Sequence, residues 1–395
     1  MAEKKRIRVG VLFGGRSEEH EISLRSALTV MSAMDPGRYE IVPIGIGRDG
    51  HWHLEHDALK VLAEKTPHLA ALSSGGTQVT LLPHPDSHSL VSTPAADSAL
   101  GAMTQTDRDA IRGSLDVVFP VLHGTYGEDG TVQGLLELAG IAYVGAGVLG
   151  SALGIDKDAQ KRLLRDAGVA VVKYFAIDRA DFREDNRSSS SLASRLAAKL
   201  GYPVFVKPNA LGSSIGISKV KRASELKAAL EDAFQYDRKA LVEASCEGRE
   251  FECAVLGNDR PEASIPGEVL VTGGHEFYSY ESKYVDPAGS RTEIPARMPA
   301  AKAKKLRAMA VAAFKALSLR GMARVDFLAR RDLSEIYVNE VNTIPGFTAI
   351  SMYPKLWEAS GLKLPELIDR LIELALEENR ERASLKITYH PKPSL

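Results

Sequence analysis

Two short runs near the C-terminal end, Ala323-Arg324-Val325-Asp326-Phe327 and Glu335-Ile336-Tyr337-Val338-Asn339-Glu340-Val341-Asn342, alternate apolar and polar residues. Alternation of period two marks strands with one buried face, and the polar Asp332 to Ser334 between them marks a tight turn. A turn centred near Leu333 sets Asp326 opposite Glu340 and Arg324 opposite Asn342. Residues two apart on a strand share a face, so all four side chains point the same way. Two carboxylates and an amide oxygen make a hard, all-oxygen surface of the kind Mg2+ takes, with places left for phosphate oxygens and water. The competing reading is an amphipathic hairpin with a salt-bridged polar face.

At 395 residues the chain exceeds one core, and two or three domains are expected. A formal net charge of -1 gives no reason to expect nucleic acid or an anionic membrane as partner. The apolar run Val9 to Phe13 is too short for an export signal and reads as a first strand. No segment approaches the ~20 apolar residues of a membrane span, so a cytoplasmic enzyme is expected. The cysteines, Cys246 and Cys253, read as reduced thiols.

Strand-like and helical runs alternate along the chain. Arg8 to Phe13 reads as a strand, Ser17 as the N-cap of a helix through Met34, and Tyr39 to Ile46 as the next strand: a βαβ opening that implies a parallel sheet. Gly14-Gly15-Arg16-Ser17 is not the full dinucleotide fingerprint. Residues 54–113 read as loops and short elements inserted into this unit, with sustained periodicity only at Gln78 to Leu82. Asp116 to Leu122 suits a buried strand that delivers the loop from His123 to Gly130. Lys157 to Ala167 has helical spacing with Gly168 as its stop, and Val169 to Ile177 reads as a strand.

In Val204-Phe205-Val206-Lys207, an apolar strand ends in a lysine, and a loop containing Gly212, Ser213, Ser214 and Gly216 follows. Small residues there let backbone N–H groups approach phosphate oxygens, although the order is not that of a Walker loop. Glu243 and Glu250 sit at strand ends, where carboxylates can accept from an adenine amino group or ribose hydroxyls. The stretch Gly273 to Tyr284 mixes glycines, aromatics and Lys283 without a period and suits a mobile lid. His51, His53 and His56 lack the spacing of a zinc site and read as surface histidines.

In this order, the segments resemble the ATP-grasp superfamily and, within it, the D-alanine–D-alanine ligase family. The resemblance rests on Gly14 to Ser23, His123-Gly124 with Gly127 to Gly130, Lys207 to Gly216, Glu243, Glu250, Tyr278 to Tyr284, Arg324 to Asp326 and Asn339 to Thr348. It implies an α/β fold, α+β in its C-terminal part: an N-terminal Rossmann-like parallel-sheet domain (1–146), a central ATP-grasp domain (147–242) and a C-terminal ATP-grasp catalytic domain (243–395) with a lid at about 272–291.

The resemblance also implies a reaction: ATP phosphorylates the carboxylate of one D-alanine, and the amine of a second attacks the acyl phosphate. By that likeness Asp326, Glu340 and Asn342 hold two Mg2+ (or Mn2+) ions, and Lys157, Lys207 and Lys283 face the phosphates with Ser213, Ser214, Asn339 and Glu340. Glu243, Glu250 and the backbone of Ala244, Ser245 and Cys246 take the adenosine, while Arg324 and the Gly346 N–H stabilise the oxyanion. Glu21, with Ser213 and Tyr284 as hydrogen-bonded partners, holds the first D-alanine's ammonium; His123 walls it; Ser351 and the Met352 backbone receive the second carboxylate. A homodimer is what the family implies. The alternatives are a D-lactate-accepting ligase, another ATP-grasp carboxylate–amine ligase and a non-catalytic nucleotide-binding regulator. The regulator reading fits poorly, because Arg324, Asp326, Glu340, Asn342 and Lys283 are all retained.

Overall fold

The computed structural model describes residues 5–55, 77–85, 88–92, 111, 113–185, 192–272 and 289–389.

The first unit grows from β1 (Ile7–Gly14), whose side chains are buried along almost its whole length. Such burial needs partners on both edges and layers on both faces. β2 (Tyr39–Ile46) and β6 (Val117–Val121) supply the edges, both parallel to β1, and β7 (Ala142–Tyr143) adds a parallel strand beyond β6. Helix α1 (His20–Ala33) crosses between β1 and β2 and buries Leu24, Ala27, Val30 and Met31, the i, i+3, i+4 stripe of an amphipathic helix. Ser17 Oγ accepts from the Glu19 N–H at 3.3 Å, but in a turn that precedes the helix, so the helix starts at His20 rather than directly after Ser17. The short elements expected around the insertion are strands. β3 (Trp52–Leu54), β4 (Gln78–Leu81) and β5 (Leu90–Ser92) extend the sheet antiparallel, giving the order β5-β4-β3-β2-β1-β6-β7. Helix α2 (Thr131–Leu138) follows the loop after β6.

Helices α3 (Val148–Ile155) and α4 (Lys157–Asp166) come next, α4 capped by Asp156, whose side chain accepts from the Ala159 N–H at 2.8 Å. Leu164 and Val169 pack into the core of the last sheet rather than that of the central one. The strand expected at 169–177 is correspondingly shorter: β8 is Tyr174–Asp178, while Val171 makes an isolated parallel bridge to Val338. After α5 (Arg179–Asp185) and α6 (Leu192–Leu200), β9 (Val204–Pro208), β10 (Ser218–Val220), α7 (Ala223–Tyr236) and β11 (Lys239–Ala244) complete a four-stranded antiparallel sheet, ordered β10-β9-β11-β8. It has its own core around Val204, Val206, Leu230, Phe234 and Val242.

The last sheet is antiparallel. β12 (Gly248–Leu256) pairs with β13 (Glu262–Ala263), with β14 (Gly267–Val271) and with β16 (Met322–Arg330); β14 pairs with β15 (Ser290–Glu293), and β16 with β17 (Ile336–Asn342). Helix α8 (Ala300–Ala316) covers one face. Helices α9 (Met352–Ala359) and α10 (Leu364–Ser384) share a core with the first sheet, where Phe347 and Tyr353 meet Val9, Phe119 and Leu371. Phe347 is fully buried and stands edge-on to Phe119, ring centres 6.0 Å apart.

Phe347 therefore fastens the loop after β17 to the first sheet. Phe347→Ala is expected to cost about 3–5 kcal/mol and lower the urea midpoint, with Phe347→Leu losing much less. A midpoint unchanged in the alanine variant would show that the loop is held by other contacts.

Candidate functional site

The β16–β17 hairpin pairs Asp326 with Glu340 and Arg324 with Asn342, the register expected from the alternation. The route to that register differs. Below Asp326 the pairing is Phe327 with Val338, so Asn339 is an extra residue in β17 and the hairpin carries a β-bulge. The turn is thus half a residue off the expected centre, and the bulge restores the pairing above it. Asn339 and Glu340, consecutive in sequence, both line one cleft.

That cleft, about 540 Å³, runs between the central and last sheets. Lys157, Lys207, Ser214, Glu243 and Glu250 line it, as do Ala244, Ser245 and Cys246, together with Asp326, Asn339 and Glu340. Its phosphate-type loop is built for close approach: Ser213 and Ser214 both have positive φ, 51° and 59°, and Gly216 follows at 67°. Lys157 Nζ donates to the Leu211 carbonyl at 2.7 Å and lies 3.7 Å from Glu340.

Glu243 is buried at the cleft floor, with its carboxylate held between two lysines: Lys207 at 2.6 Å and Lys161 at 3.0 Å. Burial alone would raise its pKa, but Lys161 and Lys207 outweigh it and hold the carboxyl below its usual range. Burial would likewise lower Lys207, yet Glu243 and Glu340 keep it above the ordinary lysine value. Lys161 was not foreseen. Its signal was present, since it lies four residues after Lys157 on the same helical face, as does buried Leu164.

Asp326 receives a two-pronged contact from Arg324, Nε to Oδ1 at 2.7 Å and Nη2 to Oδ2 at 2.7 Å, and Asn342 Nδ2 donates to it at 3.0 Å. Arg324 Nε is also 2.9 Å from Glu252, a buried carboxylate directly across from Asp326 on β12. Glu252 too was missed, although it shares a strand face with Glu250 two residues away. Among the described residues, no three His, Cys, Asp or Glu side chains converge to hold a metal ion by themselves. The donor set Asp326, Glu340 and Asn342 contains only two such residues, and it is all oxygen, which suits a hard divalent cation completed by phosphate and water.

The residues expected around the amino-acid substrate are placed differently from the expectation. Glu21, on the first turn of α1, reaches out to Arg48 and does not meet Ser213. The glutamate that Ser213 Oγ donates to is Glu19. Helix phase explains the difference, because Glu19 precedes the helix and faces the loops, while Glu21 is carried roughly 200° round the axis. A Cβ on Gly124 would come 3.4 Å from Glu19 Oε2, and one on Gly212 3.0 Å, so both glycines give this carboxylate its room. His123 is buried beside it, its Nε2 3.1 Å from Ser26 Oγ and its Nδ1 3.0 Å from the Ile344 carbonyl. Burial pushes His123 below the usual histidine value, which favours the neutral ring. Ser351 is the N-cap residue of α9, and its Oγ accepts from the Thr348 N–H at 3.0 Å; Met352 opens the helix. A Cβ on Gly346 would come 2.8 Å from Ser351 Oγ. Lys283 and Tyr284, expected in a lid, lie outside the described residues, as does His56.

Residues 8–146 match the family model for the D-ala D-ala ligase N-terminus, and residues 163–373 match that for its C-terminus. The D-alanine–D-alanine ligase of Oceanobacillus iheyensis is 44% identical over 379 residues, 96% of this chain and 98% of that one. Among solved structures, the D-alanine-D-alanine ligase of Coxiella burnetii superposes with a TM-score of 0.80 at 37% identity, over 97% of both chains. The VanG D-Ala:D-Ser ligase of Enterococcus faecalis gives 0.79 at 35%, covering 94% of this chain and all of its own.

Glu128 supplies a test of the buried polar network. Its carboxylate accepts from the Gly124 N–H at 2.8 Å and the Ile344 N–H at 3.1 Å, joining the first-sheet loop to the loop after β17. Burial, reinforced by Glu19, pushes its pKa up to about 8 from 4.5. Between those values the unfolded chain releases a proton that the folded chain keeps, so stability falls as pH rises through this window. Glu128→Gln cannot ionise, and its urea stability relative to the parent should improve by up to about 1.4 kcal/mol per pH unit between about pH 5 and pH 8. Parallel pH curves for the two proteins would mean that Glu128 is ionised throughout.

Proposed function

The chain belongs to the D-alanine–D-alanine ligase family, and from that membership we propose that it joins two D-alanines at the expense of ATP, supplying a dipeptide for peptidoglycan precursors. The observation that carries the reading is that one cleft is lined both by buried phosphate-seeking lysines and by the Asp326–Glu340 end of the hairpin, with the Glu19–Ser213 contact close by.

The nucleotide lies in the cleft, its triphosphate along the Ser213–Ser214 loop toward Lys157 and Lys207. Asp326, Glu340 and Asn342 would hold Mg2+ or Mn2+, which supplies charge neutralisation on the phosphate chain. Lys157 beside Glu340 and Arg324 beside Asp326 then have anionic partners to move to in the substrate itself. Glu19 and Ser213 hold the ammonium of the first D-alanine, with His123 as a neutral wall. Its carboxylate oxygen attacks the γ-phosphorus, and ADP leaves. The free amine of the second D-alanine, with its carboxylate at the N-terminus of α9, attacks the resulting acyl phosphate. An amide bond forms, inorganic phosphate departs, and the amine's proton passes to solvent. The planar Arg324 guanidinium matches the oxyanion and the transferring phosphoryl group.

No described helix is long and apolar enough to cross a membrane. A cytoplasmic homodimer is proposed from the family, and light scattering on the purified protein tests its size.

Phosphate release from ATP and Mg2+, with products weighed, tests the reaction. D-Ala-D-Ala is expected from D-alanine and nothing from L-alanine; D-serine and D-lactate as second substrates decide acceptor choice. No turnover with D-alanine despite ATP binding would redirect the search to another ATP-grasp acid. Glu19→Gln should raise the KM for the first D-alanine by about a hundredfold through loss of a charge-assisted contact, while Glu21→Gln stays near the parent. The reverse ranking would restore Glu21. Glu340→Gln should abolish turnover with an unchanged melting temperature.

A further inference from the structure

Lys161, which does not itself line the cleft but stands behind two residues that do, Glu243 and Asn339, carries an inference that rests on the nucleotide reading of the cleft. Its side chain is fully buried, and its Nζ lies 3.0 Å from Glu243 Oε1 and donates to the Asn339 carbonyl at 2.9 Å. The other oxygen of Glu243 belongs to Lys207, at 2.6 Å, with both of those side chains almost completely buried. Two lysines thus share one carboxylate in a place with little water. A buried carboxylate left with a single cation binds it tightly, because separation would strand a charge at low dielectric. Two cations on one carboxylate relax this constraint: either can leave without orphaning the anion.

Only one of the two can leave usefully. Lys207 lines the cleft, whereas Lys161 is walled in on α4 and tied to the bulge carbonyl of β17. We propose that Lys161 is a positioning residue, the permanent counter-ion of Glu243, and that its presence releases Lys207 to the phosphate chain of the incoming nucleotide. Without Lys161, Lys207 is the sole partner of Glu243 and stays on the carboxylate. The cost falls on the phosphates and spares the adenosine, since no ring-contacting group moves.

Calorimetric affinities for ATP and for adenosine, each with Mg2+ and without D-alanine, test this. In Lys161→Met the ATP-to-adenosine affinity ratio should fall about tenfold or more, the order expected from losing one charge-assisted contact, while adenosine binding stays within about twofold. In the Lys161→Met, Glu243→Gln double variant, the direct ion pair that retains Lys207 is gone, and the ratio should return toward that of the parent. A role confined to holding the Asn339 bulge would not be rescued by Glu243→Gln. If Lys161→Met fails to fold, Lys161→Gln keeps an amide donor toward the Asn339 carbonyl and carries the same comparison. An unchanged ratio in the single variant, or a lowered ratio that the second substitution does not restore, overturns the inference alone. A parent protein that binds no ATP overturns the nucleotide reading and this inference with it.

Discussion

The cleft depends on how the outer edge of β17 is satisfied. An edge strand presents a row of backbone donors and acceptors that must be paired or covered. Here the cover is the helix α4 and the segment after it: Ala170 accepts from the Val338 N–H at 2.8 Å, Gln160 Oε1 from the Val341 N–H at 3.1 Å, and Lys161 donates to the Asn339 carbonyl at 2.9 Å. The third contact falls at the bulged residue, whose carbonyl the extra residue removes from regular pairing. The same helix begins with Lys157, which faces Glu340. One short helix therefore fixes the bulge, carries a phosphate-seeking lysine and supplies a counter-ion to Glu243.

Charge in the cleft is balanced internally by ion pairs. Arg324 is shared between Asp326 and Glu252, Lys157 leans on Glu340, and Lys207 rests on Glu243. Each pair avoids the penalty of an isolated buried ion. Lys157, Lys207, Glu243, Asp326 and Glu340 all line the same cleft, so these charges are paired at its surface rather than deep in a core. The residues beside Glu19 are held differently. His123, Glu128 and Ser26 form a buried network that joins the first sheet to the Ile344–Phe347 loop by hydrogen bonds rather than by ion pairs.

Period and turn chemistry made most of the fold legible. The βαβ opening, the hairpin register and the α4 helix with its Gly168 stop all follow from local pattern, because burial on one face imposes a spacing that sequence displays. The strand at 169–177 was overestimated because its first half, apolar in either setting, packs on a neighbouring sheet instead of pairing in its own. Within the insertion the periodic run at Gln78 to Leu82 is β4, while the three-residue β5 carries too few alternations to rise above loop composition.

The sequence by itself determined which residue types the site has at its disposal: the hairpin oxygens, the lysines, the Gly/Ser loop and the glutamates around the start of α1. Tertiary structure decided which of them meet. Glu18, Glu19 and Glu21 are equivalent in composition, and the starting phase of α1 and the approach of the Ser213 loop bring Glu19, not Glu21, to Ser213. Lys161 looks like any helical lysine until α4 is packed between two sheets, where Glu243 and the bulge carbonyl give its charge a buried home. Local pattern fixes a side chain's direction along its own element, but a charge acquires its role from what other elements bring within reach.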